Sequence, residues 1–219
     1  MRNPLARIFA KKGGITAGAA VTASIRVAAH MWVHWAHVSI GAAKEARAAR
    51  EEIIEAHRAG GPVPIDKELR PSIVAVTASA HALDALYAEL KPLVVPESVS
   101  ETWQRKRPVR RNQIHETFQL AFRISAQEWR SEFAWLFGLR DDAVHPSFAF
   151  EVPTPTHLEE LHAAREYSVF TTDAADRAVA ILIEVISVGV ERPKKAAEEW
   201  ANGSVETVRA IAAEQAESS

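Results

Sequence analysis

The chain has 219 residues, of which 47% are hydrophobic and 25% are charged, and its formal net charge is −2. This composition is typical of a globular domain, and the charge argues against a protein that coats nucleic acid over its whole surface, although a local basic patch is compatible with it. Because cysteine is absent, disulfides, thiolate metal sites and cysteine nucleophiles are excluded.

The N-terminal segment resembles a secretory signal only loosely. Basic residues precede the run 13–25, but that run consists mainly of Gly, Ala and Thr rather than leucine. Residues 27–43 lack formal charge but carry three histidines, and a membrane-spanning helix needs about 20 predominantly apolar residues. We therefore predict a cytoplasmic protein that does not span a membrane.

Prolines divide the rest of the chain into helical segments, since proline breaks helix interiors. The first predicted helix covers 15–59 and ends at Gly60-Gly61; its charged, alanine-rich second half, 44–58, is predicted to project or to pack on one side only. The second helix begins after Pro71 and ends at Lys91-Pro92. A loop is predicted from there to Pro108.

A third helical stretch covers 109–144 and ends before Pro146. Ser125 and Glu128 form a capping-box pattern inside it, so two separate helices and one kinked helix are both open. The second part of this stretch is amphipathic, with a face rich in aromatic residues.

Residues 146–171 are predicted to be irregular, with a short extended piece at 148–152 and a short helix from His157. A further helix starts at a Thr171-Thr172 cap and covers 173–190. Its sequence is apolar nearly all round, which is typical of a helix in the middle of a bundle.

The last predicted helix follows Pro193, with a break at Asn202-Gly203. Together these segments predict an all-α helical bundle with a long N-terminal helix and a C-terminal helix. We divide the chain into an N-terminal helical extension (1–60), a helical core (66–192) and the C-terminal helix (193–219).

The end of the third stretch carries Arg140 and His145, with four residues between them. A neutral imidazole can take the proton of an RNA 2′-hydroxyl, and a guanidinium can stabilise the charge that develops on the phosphoryl oxygens. A positioned general base contributes about 10²- to 10⁴-fold in rate. The spacing alone is weak evidence, because Arg110 and His115 have the same spacing.

The segment Arg140-Asp141-Asp142-Ala143-Val144-His145 resembles the hallmark of the HEPN superfamily, which is arginine, a polar residue, three more residues and histidine at the end of a core helix. Its Ala143 and Val144 are expected to pack inward. The small-residue-rich segment 72–90 looks like the early helix of many such domains, and 171–190 looks like the apolar helix that follows their motif. The resemblance covers residues 70–192.

The resemblance implies a bundle of about four to five helices that dimerises, with the Arg and His of both protomers in one cleft. Its catalytic members are metal-independent endoribonucleases, found as toxins and in defence against phage, so no cofactor is expected. By this resemblance His145 is the acid/base, Arg140 stabilises the phosphate and Asp141 orients one of them. Ser147 stands where one toxin subgroup has tyrosine, so the nucleotidyltransferase antitoxin of that subgroup is a less expected partner than another antitoxin or regulatory protein.

Two alternatives stay open. The chain can be a non-catalytic HEPN-like binding or scaffold domain that docks a partner through its long N-terminal helix. At the motif itself, Arg140 can simply pair with Asp141 or Asp142, and His145-Pro146 can simply end the helix.

A basic segment is the best local candidate for contact with an RNA backbone. It holds five cations in seven residues: Arg105, Lys106, Arg107, Arg110 and Arg111. The alternative is a solvated loop, which is the common role of such a charge run.

Three histidines recur at helical spacing near the N-terminus, namely His30, His34 and His37. Such a face can hold a divalent metal, but Trp32 and Trp35 lie among the histidines, and no Cys or carboxylate at ligand spacing completes a tetrahedral set. We expect a packing stripe or an interface here rather than a metal site.

Overall fold

The computed structural model describes residues 30–145, 153–156 and 162–218, and the backbone of 7–9 and 26–28. This described part contains eight α-helices: α1 (Met31–Arg58), α2 (Asp66–Val94), α3 (Glu97–Lys106), α4 (Arg110–Ala121), α5 (Arg130–Val144), α6 (Arg165–Val169), α7 (Thr172–Glu191) and α8 (Glu198–Ser218). A 3₁₀ turn, Lys195–Ala197, precedes α8. Two short antiparallel strand pairs join β1 (Arg7–Phe9) to β2 (Arg26–Ala28) and β3 (Thr154–Pro155) to β4 (His162–Ala163). The predicted all-α class is confirmed.

Helix α2 lies at the centre of the bundle, where it contacts α1, α4, α5 and α7. Ser39 of α1 donates a hydrogen bond to the Ala75 carbonyl of α2 at 3.0 Å, and its hydroxyl lies 2.6 Å from that of Ser79. His30, just before α1, lies 2.7 Å from Glu89, near the end of α2. The order of these contacts shows that α1 and α2 run antiparallel.

The second half of α1 packs against the bundle on one side and does not project from it, so the structure agrees with the second of the two predicted alternatives. Small side chains let two helix backbones approach closely, and this explains the alanine enrichment. The buried alanines in this half and just before it are Ala42, Ala43, Ala46 and Ala49. Ile40, Leu83 and Ile211 belong to one hydrophobic core, so α1 and α8 share the core of residues 66–192.

Two helices begin at positions other than those predicted. Residues 26–28, placed inside the first predicted helix, form β2, and α1 begins at Met31. The second helix is longer than predicted, because it begins at Asp66 and passes through both Pro71 and Pro92. Pro71 is buried, and packing in the bundle outweighs the backbone hydrogen bond that a proline removes.

The segment predicted as a loop before Pro108 contains helix α3, which the sequence analysis missed. Its first turn carries Glu97 and its last turn carries Arg105 and Lys106, an arrangement that suits the helix dipole. The helix is short, and Trp103 is its one buried residue. It therefore lacks the apolar periodicity that identifies the other helices.

The reciprocal hydrogen bonds predicted for Ser125 and Glu128 are present, but they close the turn before α5 and do not cap its first residue; α4 and α5 are two separate helices. The Ser125 backbone N–H donates to Glu128 Oε2 at 3.1 Å, and the Glu128 N–H donates to Ser125 Oγ at 3.2 Å. Helix α5 begins at Arg130, directly after Trp129, whose backbone is left-handed with a φ of 62°.

The stretch between α5 and α7, predicted to be irregular, contains β3, β4 and the short helix α6. The extended piece predicted at 148–152 and the helix predicted from His157 lie outside the described residues.

For the two C-terminal helices, the predicted cap of α7 is confirmed and the predicted break in α8 is not. Thr171 caps α7 as predicted, since its Oγ1 accepts a hydrogen bond from the Ala174 N–H at 3.3 Å. Helix α8 continues through Asn202-Gly203, so the predicted break is wrong. Trp200 and Ser204 are buried on either side of it, and this packing holds the helix together.

An ion-pair network that is buried at Glu68 and exposed at Asp173 ties α1 and α2 to the start of α7. The Glu68 side chain, 6% exposed, accepts hydrogen bonds from the Thr172 backbone N–H at 2.6 Å and from Thr172 Oγ1 at 2.7 Å. Arg50 Nε lies 3.3 Å from Glu68 Oε1, and its two Nη atoms donate to the two carboxylate oxygens of Asp173 at 2.7 and 3.1 Å. These contacts determine where α7 begins relative to α1 and α2.

One helix of the described part, α2, is long and apolar enough to span a membrane by length and composition alone. In the most apolar 18-residue part of this helix, 56% is buried inside the bundle. Such burial is consistent with the core helix of a soluble protein.

Candidate functional site

The Arg140–His145 segment lies at the end of α5, as predicted. Helix α5 ends at Val144, and the His145 backbone N–H donates to the Asp141 carbonyl at 2.8 Å. His145 has a φ of −126° and a ψ of 62° and so lies outside the helical region. This is expected, because a following proline disfavours the helical conformation. His145 is exposed, so it does not belong to the core of its own protomer.

Arg140 pairs with its neighbour in the chain. Its Nε and Nη2 donate to Asp141 Oδ1 at 3.0 and 2.5 Å, and its guanidinium lies 5.4 Å from the centre of the Phe137 ring. This is the pairing that the purely structural interpretation predicts. The Asp141 side chain is 56% exposed and the Arg140 side chain is 24% exposed, so the pair opens to solvent on its carboxylate side, and pairs at the surface contribute about 0–1 kcal/mol. A phosphate can therefore replace Asp141 at Arg140 with little loss.

The residues between Arg140 and His145 point in different directions. Asp142 Oδ2 accepts a hydrogen bond from Arg165 Nη2 of α6 at 3.3 Å. Ala143 is partly buried against the core, but Val144 is 56% exposed, so its predicted inward packing is wrong. Successive helical residues are rotated by about 100°, and only one face of this last turn meets the core.

A second histidine, His81 of α2, interacts electrostatically with Arg140. Its ring packs against Trp35 of α1, with ring centres 4.9 Å apart. Burial, followed by the charge of Arg140, lowers the pKa of His81 below its ordinary value, while Asp84 acts in the opposite direction. His81 is therefore mainly neutral at pH 7. No local pattern pointed to His81, because only the packing of α2 against α5 relates it to Arg140.

Arg110 and His115, which have the same spacing as Arg140 and His145, have different neighbours in the structure. Arg110 Nε donates to Asp84 of α2 at 2.6 Å, and its guanidinium lies 4.0 Å from the centre of the Tyr87 ring. His115 Nε2 lies 2.7 Å from the Glu128 carbonyl oxygen, in the turn before α5. The two side chains face different neighbours and do not form one site.

Arg50 and His57, which have six residues between them, do not form one site either. Arg50 belongs to the ion-pair network with Glu68 and Asp173. His57 is exposed in the last turn of α1.

The predicted RNA-binding segment spans the end of α3, a turn and the start of α4. Arg107 is left-handed, with a φ of 47°, and turns the chain between the two helices. All five cations are exposed: Arg105, Lys106, Arg107, Arg110 and Arg111. Arg110 is paired to α2, whereas the other four form no ion pair with any residue in the described part of the chain. Trp103 is buried and donates its indole N–H to Glu116 at 2.9 Å, so it is not a platform for stacking a base.

Of the three N-terminal histidines, His34 and His37 lie in α1 and His30 directly precedes it, and they do not share a set of partners. His30 lies 2.7 Å from Glu89 of α2, and His37 lies 2.6 Å from Glu214 of α8. His34 is exposed. Within the described ranges no group of three or more His, Cys, Asp or Glu side chains is placed to hold a metal ion.

No family model, no curated protein and no solved structure matches this chain. The fold and the site define a class: an all-α bundle with an arginine–histidine pair at the exposed end of a core helix.

Proposed function

We propose that this chain is a HEPN-type, metal-independent endoribonuclease of the cytoplasm, acting as a toxin or phage-defence effector under the control of an antitoxin or regulatory protein. The observation that supports this most is the end of α5. His145 is exposed just beyond the helix, and Arg140 is held by an exposed carboxylate that phosphate can replace. The two other Arg–His pairs of similar spacing lack this arrangement.

In the proposed reaction the neutral His145 imidazole removes the proton of a 2′-hydroxyl, and the 2′-oxygen attacks the adjacent phosphorus. The bond between phosphorus and the 5′-oxygen breaks, and the leaving oxygen takes a proton from the protonated His145 of a second protomer. The products are a 2′,3′-cyclic phosphate and a 5′-hydroxyl. Arg140 exchanges Asp141 for the phosphoryl oxygens and stabilises their developing charge.

A homodimer supplies the two histidines that this reaction uses. Val144, an exposed apolar side chain inside the motif, supports a contact there, because covering it removes apolar surface from water. A charge change at this position tests the contact. The Val144→Asp variant should shift the chain toward monomer in sedimentation velocity and reduce cleavage together with assembly.

The decisive experiment incubates total RNA with the wild type, with His145→Ala and with His57→Ala. The His57 variant is a matched control, because it removes another exposed histidine near a helix end. We expect cleavage by the wild type and the control, and a loss of about 10²- to 10⁴-fold in His145→Ala. Cleavage should persist in chelator and leave 2′,3′-cyclic phosphate ends. Equal cleavage by all three proteins would remove His145 from the mechanism.

The second candidate is a non-catalytic HEPN-like domain, and the pairing of Arg140 with Asp141 favours it. Docking through a separable N-terminal helix has less support, since α1 is part of the core. Deleting residues 1–60 would therefore remove a core helix and not only a docking element. A folded wild-type chain that leaves RNA intact, with and without candidate partners, would favour this second candidate.

The basic segment is assigned to the RNA backbone under the same proposal. Replacing Arg105, Lys106 and Arg107 with Gln removes three cations that have no ion pair with a described residue. Single-stranded RNA binding should weaken, and its salt dependence should decrease by about 0.7 per lost phosphate contact. An unchanged salt dependence would show that the segment is only a solvated surface.

A further inference from the structure

A cavity of about 510 Å³ lies between α4, α5 and the turn that joins them. Pockets that bind small molecules have volumes of about 300–1,000 Å³, so this cavity has room for more than a single inorganic ion. It lies apart from the end of α5, since Arg140 and His145 are not among the residues that line it.

Two arginines from different helices line this cavity. Arg111 lies in the first turn of α4, and Arg130 is the first residue of α5. Both are exposed, and neither forms an ion pair with any residue of the described ranges. A guanidinium presents a planar fork of N–H donors that matches the oxygens of a phosphate. The cavity thus holds two cations with free donors and suits an anionic group.

The cavity also holds a histidine in a defined tautomer. His115 Nε2 lies 2.7 Å from the Glu128 carbonyl oxygen, which can only accept a hydrogen bond, so Nε2 carries the hydrogen. The edge-to-face contact with Phe133, with ring centres 5.9 Å apart, orients the imidazole. Nδ1 is then the ring atom left to bind a ligand. Asn112 adds an amide that can donate and accept.

Among the described residues that line the cavity Glu116 is the one carboxylate, and it is already engaged. Its Oε2 accepts the indole N–H of Trp103 at 2.9 Å. The charge of the lining is therefore cationic, with two guanidinium groups against one hydrogen-bonded carboxylate.

The wall that carries Arg130 is held in place by its neighbours. Trp129 has a left-handed backbone, a conformation that a bulky residue adopts only when its surroundings impose it. Its side chain is buried, and its indole N–H donates to Glu184 Oε1 of α7 at 2.9 Å. The capping box of Ser125 and Glu128 closes the turn before it. Arg130 is consequently presented by a constrained helix start.

We propose that this cavity binds a phosphate ester of nucleotide size, with the phosphate held between Arg111 and Arg130 and a polar group of the ligand at His115 Nδ1 or Asn112. The ligand is a free mononucleotide or the 5′-terminal nucleotide of an RNA. Binding here does not depend on ribonuclease activity, since the cleavage residues lie elsewhere.

The test measures binding of adenosine monophosphate by titration calorimetry to the wild type and to Arg111→Gln, Arg130→Gln and Arg58→Gln. Arg58 is an exposed arginine at the end of α1 that does not line the cavity, so its variant is the matched control. We expect each cavity variant to weaken binding by about tenfold or more and the control to bind as the wild type does. Adenosine monophosphate should also shift the His115 ring resonances in the wild type and not in Arg111→Gln.

A second arm uses an RNA oligonucleotide with a 5′-phosphate and the same oligonucleotide with a 5′-hydroxyl. Binding of the mononucleotide but not of the oligonucleotides identifies the ligand as a free nucleotide. Binding of the oligonucleotide only when it carries the 5′-phosphate identifies the ligand as an RNA end. Either result supports the proposed binding site if it depends on Arg111 and Arg130. If neither ligand depends on these arginines, the proposal is overturned. The His145→Ala variant should bind both ligands as the wild type does. The binding test therefore stays valid even if the ribonuclease proposal fails.

Discussion

Arg50 and Arg140 are both paired arginines with a histidine a few residues further along the chain, yet the fold uses them differently. Arg50 contacts Glu68 of α2 and Asp173 of α7, so its partners come from two other helices. Arg140 contacts Asp141, the next residue in its own helix. Hydrogen bonding to Asp173 and the charge of Glu68 overcome the effect of burial and raise the pKa of Arg50.

The difference separates an arginine that holds the fold together from one that is available to a ligand. Removing one partner of a buried pair costs about 3–5 kcal/mol, because the remaining charge is left without compensation. An exposed pair contributes about 0–1 kcal/mol. A ligand can therefore displace Asp141 from Arg140, but it cannot displace Glu68 from Arg50 without opening the bundle.

The largest effect is expected for Glu68→Ala. This change leaves Arg50 with Asp173 as its partner and removes the carboxylate oxygen that accepts the Thr172 backbone N–H and a hydrogen bond from Thr172 Oγ1, so the free energy of unfolding should fall by about 3–5 kcal/mol. Urea denaturation at pH 7 measures it. Glu52→Ala is the control, because it removes the carboxylate of an exposed pair with Lys67 and should change stability by about 0–1 kcal/mol. Similar losses in both variants would contradict the assignment of Glu68 to the core.

A smaller loss is expected for Gly189→Ala in α7. A methyl group there would lie 2.9 Å from Phe122 Cζ and 3.1 Å from Trp200 Cζ3, and overpacking of this kind costs about 1–3 kcal/mol. The matched variant is Gly138→Ala in α5, where the added methyl meets nothing within 4 Å. It should stabilise the chain by about 0.5–1 kcal/mol, because alanine is favoured over glycine inside a helix. Thermal denaturation should move in opposite directions for the two changes.

The motif residues should matter least for stability. Arg140→Gln removes an ion pair with an exposed carboxylate and His145→Ala alters an exposed side chain at the end of α5, so each should change the free energy of unfolding by about 1 kcal/mol or less. The same denaturation series measures this. A loss as large as that of Glu68→Ala would mean that the motif is a structural cluster like that of Arg50.

The pH dependence probes the electrostatic effect of Arg140 on the pKa of His81. The folded-state pKa of His81 lies below the unfolded value of about 6.5. Between these two values the unfolded chain binds more protons, so the contribution of His81 lowers stability as the pH falls through this window. An NMR titration of the His81 ring should show a higher pKa in Arg140→Gln and a lower one in Asp84→Asn. The control is Arg177→Gln, because the Arg177 guanidinium lies over the Trp135 ring. This change should leave the pKa of His81 unchanged.

Local signals predicted the elements whose hydrogen bonds are themselves local. The capping box of Ser125 and Glu128, the Thr171 cap and the end of α5 each depend on contacts within a few residues. Prediction failed where packing decides. Helix α2 passes through Pro71 and Pro92, and α8 passes through Asn202-Gly203, because buried neighbours on each helix outweigh the local breaking signal.

The sequence by itself determined the all-α class and the position of Arg140 and His145 at a helix end, since helical periodicity and a following proline act over one or two turns. The tertiary structure alone decided that His81 lies within the field of Arg140, that Arg50 and Arg110 are engaged elsewhere, and that Arg111 and Arg130 share a cavity. The physical reason is that these relations depend on which helix faces are buried against each other, and burial is decided by residues far apart in the chain.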